Sequence, residues 1–437
     1  MRARNLIALL IAVILNLSVT LNPLATGHVM TQTTTTIPML AGTAQPVSTA
    51  PGNQTNPHVE CNLVSYTYDD LEGSSTIRYF DLVTNTEHVL PGDTLDRLSD
   101  TDGRRIAFTE LGATGDQIFL YDLTSQTTTQ IPGLLNSDPA IGGNLVAFVH
   151  RGGTTTSTFE ISVYDQNTGT VTQLTTDTLM DLNPSVSPDG HIVVWEKCQP
   201  DGTDCDIYSA TQTGPGAFTT RLLSGEGEDR TADTNGQLVV YVSNQGGESD
   251  IHLRRVDGSN DMRLSIPGDQ RDARISGNLM VFESQTADRS YDVFVYDLST
   301  ARFYQVTNTP GVDEQLSDIV AGCDGINRIV YAKPGPFGDS DVHSFTFQLN
   351  DSVADQLNDL IALVRSFNLH DGTEASLITK LQDALAAINA SNTSSACDSL
   401  TAFINASFAQ SGKKLTAGQV QQLVQSATQV KSDLGCQ

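Results

Sequence analysis

An apolar run ending in an aromatic residue recurs seven times between residues 56 and 348. The runs are NLVSY, RRIAF, NLVAF, HIVVW, QLVVY, NLMVF and NRIVY, closing on Tyr66, Phe108, Phe148, Trp195, Tyr241, Phe282 and Tyr331. Successive aromatics stand 40 to 49 residues apart. A unit this short cannot bury its own apolar face, so the repeat demands neighbours that share a core. Turns rich in Gly, Asp and Asn, such as SDTDG (99–103), SPDG (187–190) and ADTNG (232–236), precede most runs. These residues tolerate the backbone of tight hairpins. A second run alternating with period two follows each turn, as in TIRYFDL (76–82), QIFLYDL (117–123) and DVFVYDL (292–298). A Thr- and Gln-rich segment such as TTTQIPG (127–133) usually comes next. Four short antiparallel strands per unit make a propeller blade. The sequence predicts an all-β propeller over 56–349, with seven blades and six as the alternative count. A small all-α four-helix bundle is expected over 350–437.

NPHVECNLVSY (56–66) aligns without gaps on DPAIGGNLVAF (138–148), so a first strand is present near Pro57. The count then gives seven first, second and third strands but only six clear fourth strands. TTTTIPML (33–40) reads like TTTQIPGL (127–134). Two readings of residues 27–55 stay open. One is a disordered Thr/Pro-rich linker. In the other, residues 33–40 return as the missing outer strand and cover the open edge of the last blade.

The chain of 437 residues carries 51 acidic and 24 basic side chains, a net charge of −27. Phosphate backbones are held by clustered Lys and Arg, so this balance argues against nucleic acid as a partner. Arg2 and Arg4 precede an apolar stretch from Leu6 to Leu21, with small residues at Ala25–Gly27. Residues 1–26 therefore read as a signal peptide or an uncleaved N-terminal anchor. No other segment approaches transmembrane length, so membrane contact is expected through that anchor alone. The expected location is secreted, periplasmic or at the cell surface.

Six cysteines in an exported chain suggest three disulfides. Cys198 and Cys205 flank QPDGTD between two strands of one blade, where they can link a hairpin loop. Cys61 and Cys323 fall in matching turns of the first and last blades, which are neighbours in a closed ring. Cys397 and Cys436 are left to pair within the C-terminal region. There the periodicity becomes helical over 353–367, 375–389, 396–410 and 417–434. Gly372, residues 391–395 and residues 411–416 read as the breaks, and Thr416 as an N-cap.

The unit TQLTTDTLMDLNPSVSPDGHIVVW…DCDIY (172–208) resembles the repeat of the TolB-like propellers, with IAF-like and YD-like parts kept in the other units. That WD40-like resemblance covers residues 56–348 and implies a rigid exported scaffold for proteins or ligands. The chain lacks the separate N-terminal α/β domain of TolB proper, so no role in the Tol–Pal system is implied. The tail 360–424 resembles the helical FIMAH module of secreted bacterial proteins, through SLITKLQDAL (376–385), LTAFIN (400–405) and GKKLT (412–416). It implies an accessory role outside the cell and brings no chemistry.

No G-x-S-x-G or H-E-x-x-H occurs, and no catalytic residue is singled out. Ser411-Gly412-Lys413-Lys414 fits S-x-x-K by chance, in an interhelical loop. SPDG is a turn rather than a sialidase box, because Gly190 directly follows Asp189. His150, His191, His252 and His343 lie in or beside second and third strands, where structural roles are commoner than ligation. Asp201, Asp204 and Asp206, and also Asp339 and Asp341, offer the oxygen ligands that Ca²⁺ prefers, though such residues serve turns equally well. No other cofactor is expected. The function expected is a non-enzymatic exported scaffold whose loops or channel recognise a protein, peptide or glycan. The alternative is a propeller enzyme, a polysaccharide lyase or glycoside hydrolase, with a site assembled at the channel mouth. A third reading is a subunit for a separately encoded hydrolase.

Overall fold

The computed structural model describes residues 37–436 apart from 93–94, 153–157, 226, 246, 265, 336–337, 350–352 and 368. The expected signal or anchor at 1–26 lies outside the described residues. The chain divides into two compact units, residues 1–348 and 349–437.

Seven four-stranded antiparallel sheets form the first unit. Blades 1 to 6 are consecutive meanders starting at Asn53, Asp96, Asn136, Met180, Asp229 and Gln270. The fold is a seven-bladed β-propeller. Each recurring aromatic lies in the second strand of its blade and is at most 3% exposed. The cores they fill lie between blades. Trp195 of blade 4 packs with Phe148's neighbours Ala147 and Val149 of blade 3, and Phe282 of blade 6 with Leu253 of blade 5. Second strands are correspondingly buried along their length, as over Ile192–Cys198. Outermost strands such as Thr127–Gln130 are exposed throughout. Among the described residues these cores are shared between adjacent blades, which is the consequence of the short repeat.

Blade 7 draws three strands from Gln315–Phe347 and its outermost strand from Gly42–Ser48. The register runs from Gly42 opposite Phe347 to Ser48 opposite Val342. The last blade is therefore completed from the opposite end of the chain, but by residues 42–48 rather than by 33–40. Two features select the later segment. A Cβ at position 42 would collide with Phe345 and approach Thr346 O to 2.6 Å, so the strand begins where only glycine fits. Val47 also buries its side chain in the core shared by blades 7 and 1. Residues 38–40 run instead beside the outer strand of blade 6, where Leu40 N donates to Gln305 O (2.7 Å) and Gln305 N to Pro38 O (2.9 Å). Residues 38–40 and 42–48 are thus paired into the ring, and the linker reading does not hold there. Residues 33–36 lie outside the described part. At the inner end of the same seam Cys61 of blade 1 is bonded to Cys323 of blade 7, and Cys198 to Cys205 across a hairpin loop of blade 4.

The second unit contains α1 (Val353–Ser366), α2 (Asp371–Asn389), α3 (Thr393–Ala409) and α4 (Ala417–Asp433). Leu357, Leu381, Leu400, Phe403 and Leu423 meet in its core. Thr416 caps α4 in a reciprocal box with Gln419. Gly372, read as a break, instead lies in the first turn of α2, because His370 caps that helix. Likewise α3 begins at Thr393, inside the expected 391–395 break, because the Asn392 side chain accepts from Ser395 N. Cys397 and Cys436 are bonded.

Candidate functional site at the channel mouth

The innermost strand of each blade carries a β-bulge. In six blades the bulged residue is not glycine yet takes a left-handed backbone: Asn56, Leu98, Asp138, Asn183, Thr231 and Asp272, with φ between 48 and 54°. In blade 7 the bulge falls between Leu316 and Asp318. Left-handed Leu and Thr are strained, and a bulge re-aims the side chains that follow it. The structurally equivalent residues just beyond the bulges, each paired with the residue preceding the recurring aromatic, are His58, Asp100, Ala140, Ser185, Asp233, Arg274 and Asp318. All seven line a cavity of about 500 Å³ in the channel.

The three aspartates first serve the ring. Asp100 Oδ2 accepts from Ile141 N (2.8 Å), Asp233 Oδ2 from Ile275 N (2.8 Å) and Asp318 Oδ2 from Val59 N (2.9 Å), each amide belonging to the next blade. A second set of clamps sits beside the bulges. Thr67, Thr109, Glu196 and Glu283, each directly after its aromatic, accept from Leu98, Asp138, Thr231 and Leu316 N. A carboxylate has lone pairs beyond those a clamp uses, so the ring aspartates still present acceptors to the channel.

His58 stands between two of them, Nδ1 lying 3.3 Å from Asp100 Oδ1 and 3.7 Å from Asp318 Oδ2. Burial pushes Asp100 up to about 7, reinforced by Asp233 and Asp102. Burial likewise pushes Asp318 up to about 7 against the pull of His58. The same burial lowers His58. Asp138 is raised to about 6 by burial and Glu196, and Glu60 to about 7 by burial, Asp100 and Asp102. Seven acidic residues line the cavity, Asp272 among them, against Arg274 and His58. This wall is a multi-carboxylate acceptor surface able to exchange protons near neutrality.

The residues singled out by sequence lie elsewhere. Asp201 accepts from Thr203 N (3.1 Å) and Oγ1 (2.7 Å), capping its own turn, while Asp204 N donates to Glu228 Oε2 (2.8 Å). Asp206 faces Asp229, and burial raises it. Asp339 Oδ2 accepts from Gly52 N (2.9 Å), and Asp341 is buried close by. Among the described residues Asp201, Asp204 and Asp206 do not bring ligand atoms within 4.8 Å of one another. Among the described residues only Glu196, Cys198 and Cys205 form such a trio, and both sulfurs are spent in a disulfide. His150 pairs with Asn136, His191 with its turn, and His252 and His343 stack on Tyr241 and Tyr331. The channel histidine, His58, lies in a first strand, outside the four positions that the strand pattern singles out. A usable signal is nonetheless present: in five blades the channel residue stands eight positions before the aromatic, as Asp100 does before Phe108. Longer turns hide Ser185 and Asp318.

No family model matches the chain. Among solved structures it is similar to the acylaminoacyl peptidase of Pyrococcus horikoshii, at 14% identity and TM-score 0.52, over 69% of this chain and 53% of that one. The β-propeller domain of the Trilobed protease from Pyrococcus furiosus is 15% identical with TM-score 0.52, over 68% of this chain and 96% of that domain. An oligogalacturonate lyase in complex with manganese is 13% identical with TM-score 0.53, over 70% and 93%. This chain thus spans about half the length of the acylaminoacyl peptidase. Likeness at this identity is likeness of fold.

Proposed function

We propose that the protein is an exported binding scaffold whose channel mouth takes a positively charged group presented by a protein, peptide or glycan. The observation that carries this reading is the cavity of about 500 Å³ walled by seven carboxylic acids against Arg274 and His58. A concave wall of one sign focuses the field and concentrates the opposite charge. The volume is that of a small-molecule or side-chain pocket. Among the described residues the channel carboxylates do not converge within 4.8 Å in threes. Spread acceptors suit a multi-donor organic cation, such as a guanidinium, ammonium or amino sugar, better than a point ion. Asp100 and Asp318, pushed up to about 7, would lose protons as such a group enters.

The enzymatic alternative is less well supported. The matched lyase is named for oligogalacturonate, a polyanion, which this wall would repel. The likeness to the acylaminoacyl peptidase covers 53% of that chain and is one of fold. Export is favoured by the Arg2–Gly27 pattern and by three disulfides, which persist in oxidising compartments. The TolB-like unit at 172–208 and the FIMAH-like stretch at 360–424 fit a scaffold with an accessory helical module. The test is a peptide and glycan array of graded charge. Retention of basic members, weakened by salt, is expected; preferential retention of acidic members would overturn the proposal.

A further inference from the structure

Three blade seams repeat one polar arrangement at the face where the first strand of each blade begins. The third strand of one blade carries an acid within its first three residues, and the next residue's amide donates to a hydroxyl in its own outer region. Ile161 N donates to Thr175 Oγ1, Ile207 N to Ser224 Oγ and Val293 N to Thr307 Oγ1. The acids are Glu160, Asp206 and Asp292. The following blade supplies a second acid at one position, four residues before its channel residue: Asp181, Asp229 and Glu314. In two of these seams, around Thr175 and Thr307, both carboxyl groups reach the one hydroxyl.

Two of the seams set a basic side chain beside those acids. Between blades 3 and 4, Lys197 Nζ lies 3.2 Å from Asp181 Oδ1 and also binds Asp177. Between blades 4 and 5, His252 acts on Asp229, and Ser243 adds a hydroxyl. The seam between blades 6 and 7 differs. Lys333 stands where Lys197 stands in its blade, but acts on Asp341 and His343. Asp292 and Glu314 are 2% and 1% exposed, and the Glu314 Oε1 atom is buried with no hydrogen-bond partner. Thr307 Oγ1 lies 3.2 Å from both Asp292 Oδ1 and Glu314 Oε2 while accepting from Val293 N. A hydroxyl carries one proton and cannot serve two carboxylates. Thr309 supplies a second hydroxyl to Glu314. The donor set is all oxygen, two carboxyl groups and two hydroxyls, on a loop that Gly311 N and Asp313 also tie to blade 6.

We infer that Asp292, Glu314, Thr307 and Thr309 form a site for a hard divalent cation of the Ca²⁺ class, which fastens the 306–314 loop at the seam between blades 6 and 7. Oxygen-only ligands with two carboxylates are the donors Ca²⁺ takes, and the ion supplies the positive charge that Lys197 supplies at its own seam. Gln305, whose amide donates to Asp292 Oδ2 (3.0 Å), also carries residues 38–40 on its backbone. The ion would therefore brace the place where the N-terminal segment enters the ring.

The test uses the full chain, with Asp292→Asn and Glu314→Gln, in EDTA and in added Ca²⁺, Mg²⁺ or Mn²⁺ at pH 7.5. Elemental analysis after desalting should find one equivalent of Ca²⁺ in the native chain and none in either variant. Ca²⁺ should raise the unfolding midpoint by about 3 °C or more over EDTA in the native chain only. The inference is overturned if the native chain holds no ion and its midpoint ignores EDTA, the pair then sharing a proton alone. It is equally overturned if both variants retain the ion. Should a variant fail to fold, the native chain's metal content and EDTA response decide.

Discussion

The His58 imidazole and the Asp100 carboxylate meet across the seam between blades 1 and 2, Nδ1 standing 3.3 Å from Oδ1. Asp318 approaches the same nitrogen from blade 7. One histidine thus joins three blades beside the ring closure, in a wall whose acids hold protons close to neutral pH.

The two aspartates of this cluster should make stability fall with rising pH. Asp100 and Asp318 titrate near 7 in the folded chain, against 3.8 ordinarily. Between about pH 4 and 7 the folded state binds protons that the unfolded state has released, so stability declines as pH rises and levels off above 7. Asp318→Asn keeps an oxygen for Val59 N and removes the charge. It should raise stability at pH 8 by on the order of 1 kcal/mol and do little at pH 4. Denaturant titrations at the two pH values check this; a loss at pH 8 would contradict it.

Removing the ring-closing strand should open blade 7. A chain beginning at Ala41 retains Gly42–Ser48, whereas one beginning at Asn53 leaves Ser340–Phe347 as a bare edge. The shorter chain gives up a ladder whose hydrogen bonds are each worth about 1 kcal/mol net, together with the burial of Val47. It should unfold at a clearly lower denaturant concentration and self-associate through the exposed edge on gel filtration. Equal midpoints for the two chains would refute the assignment of this strand.

Breaking the inner lock should weaken the ring without opening it. Cys61 and Cys323 close a separation of 262 residues, for which chain entropy gives on the order of 5 kcal/mol. With both replaced by serine, the strand 42–48 still joins the ends. The expected result is a folded propeller with a lowered midpoint, seen by circular dichroism. An unchanged midpoint would show that the bond adds nothing.

Lys197 should prove essential to its seam. Asp181 is fully buried beside it and accepts from Trp195 Nε1 (2.7 Å). Lys197→Met leaves that carboxyl group and Glu160 without their cation, at a cost of about 3–5 kcal/mol. Adding Asp181→Asn should recover part of the loss in a double-mutant cycle. A single variant as stable as the native chain would contradict the pairing.

The seven-blade count is legible in the sequence because every inter-blade core needs its aromatic, and Tyr66 to Tyr331 therefore recur in frame. The Cys61–Cys323 bond can be read for the same reason, from matching turns on blades that only a ring makes adjacent. The closing strand is hard to place because Thr-rich outer strands are exposed and carry little pattern. What distinguishes 42–48 is the tight fit of Gly42 and the buried Val47, neither of which a composition match detects. The channel site is illegible for a different reason. His58 and Asp318 stand at opposite ends of the propeller sequence, and a bulge, not a motif, aims them and Asp100 inward. Helix starts shift where side-chain caps at His370 and Asn392 outweigh the propensities of Gly372 and the residues around Thr393.

The channel wall is tested most directly by titrating tetralysine and tetraglutamate into the native chain and into an Asp100→Asn/Asp233→Asn/Asp318→Asn variant at pH 7.5. Isothermal titration calorimetry should show tetralysine binding that weakens at least about tenfold in the variant, equivalent to about 1.4 kcal/mol, and no binding of tetraglutamate. Equal affinity for tetralysine in the two proteins, or tighter binding of tetraglutamate to the native chain, would contradict the account.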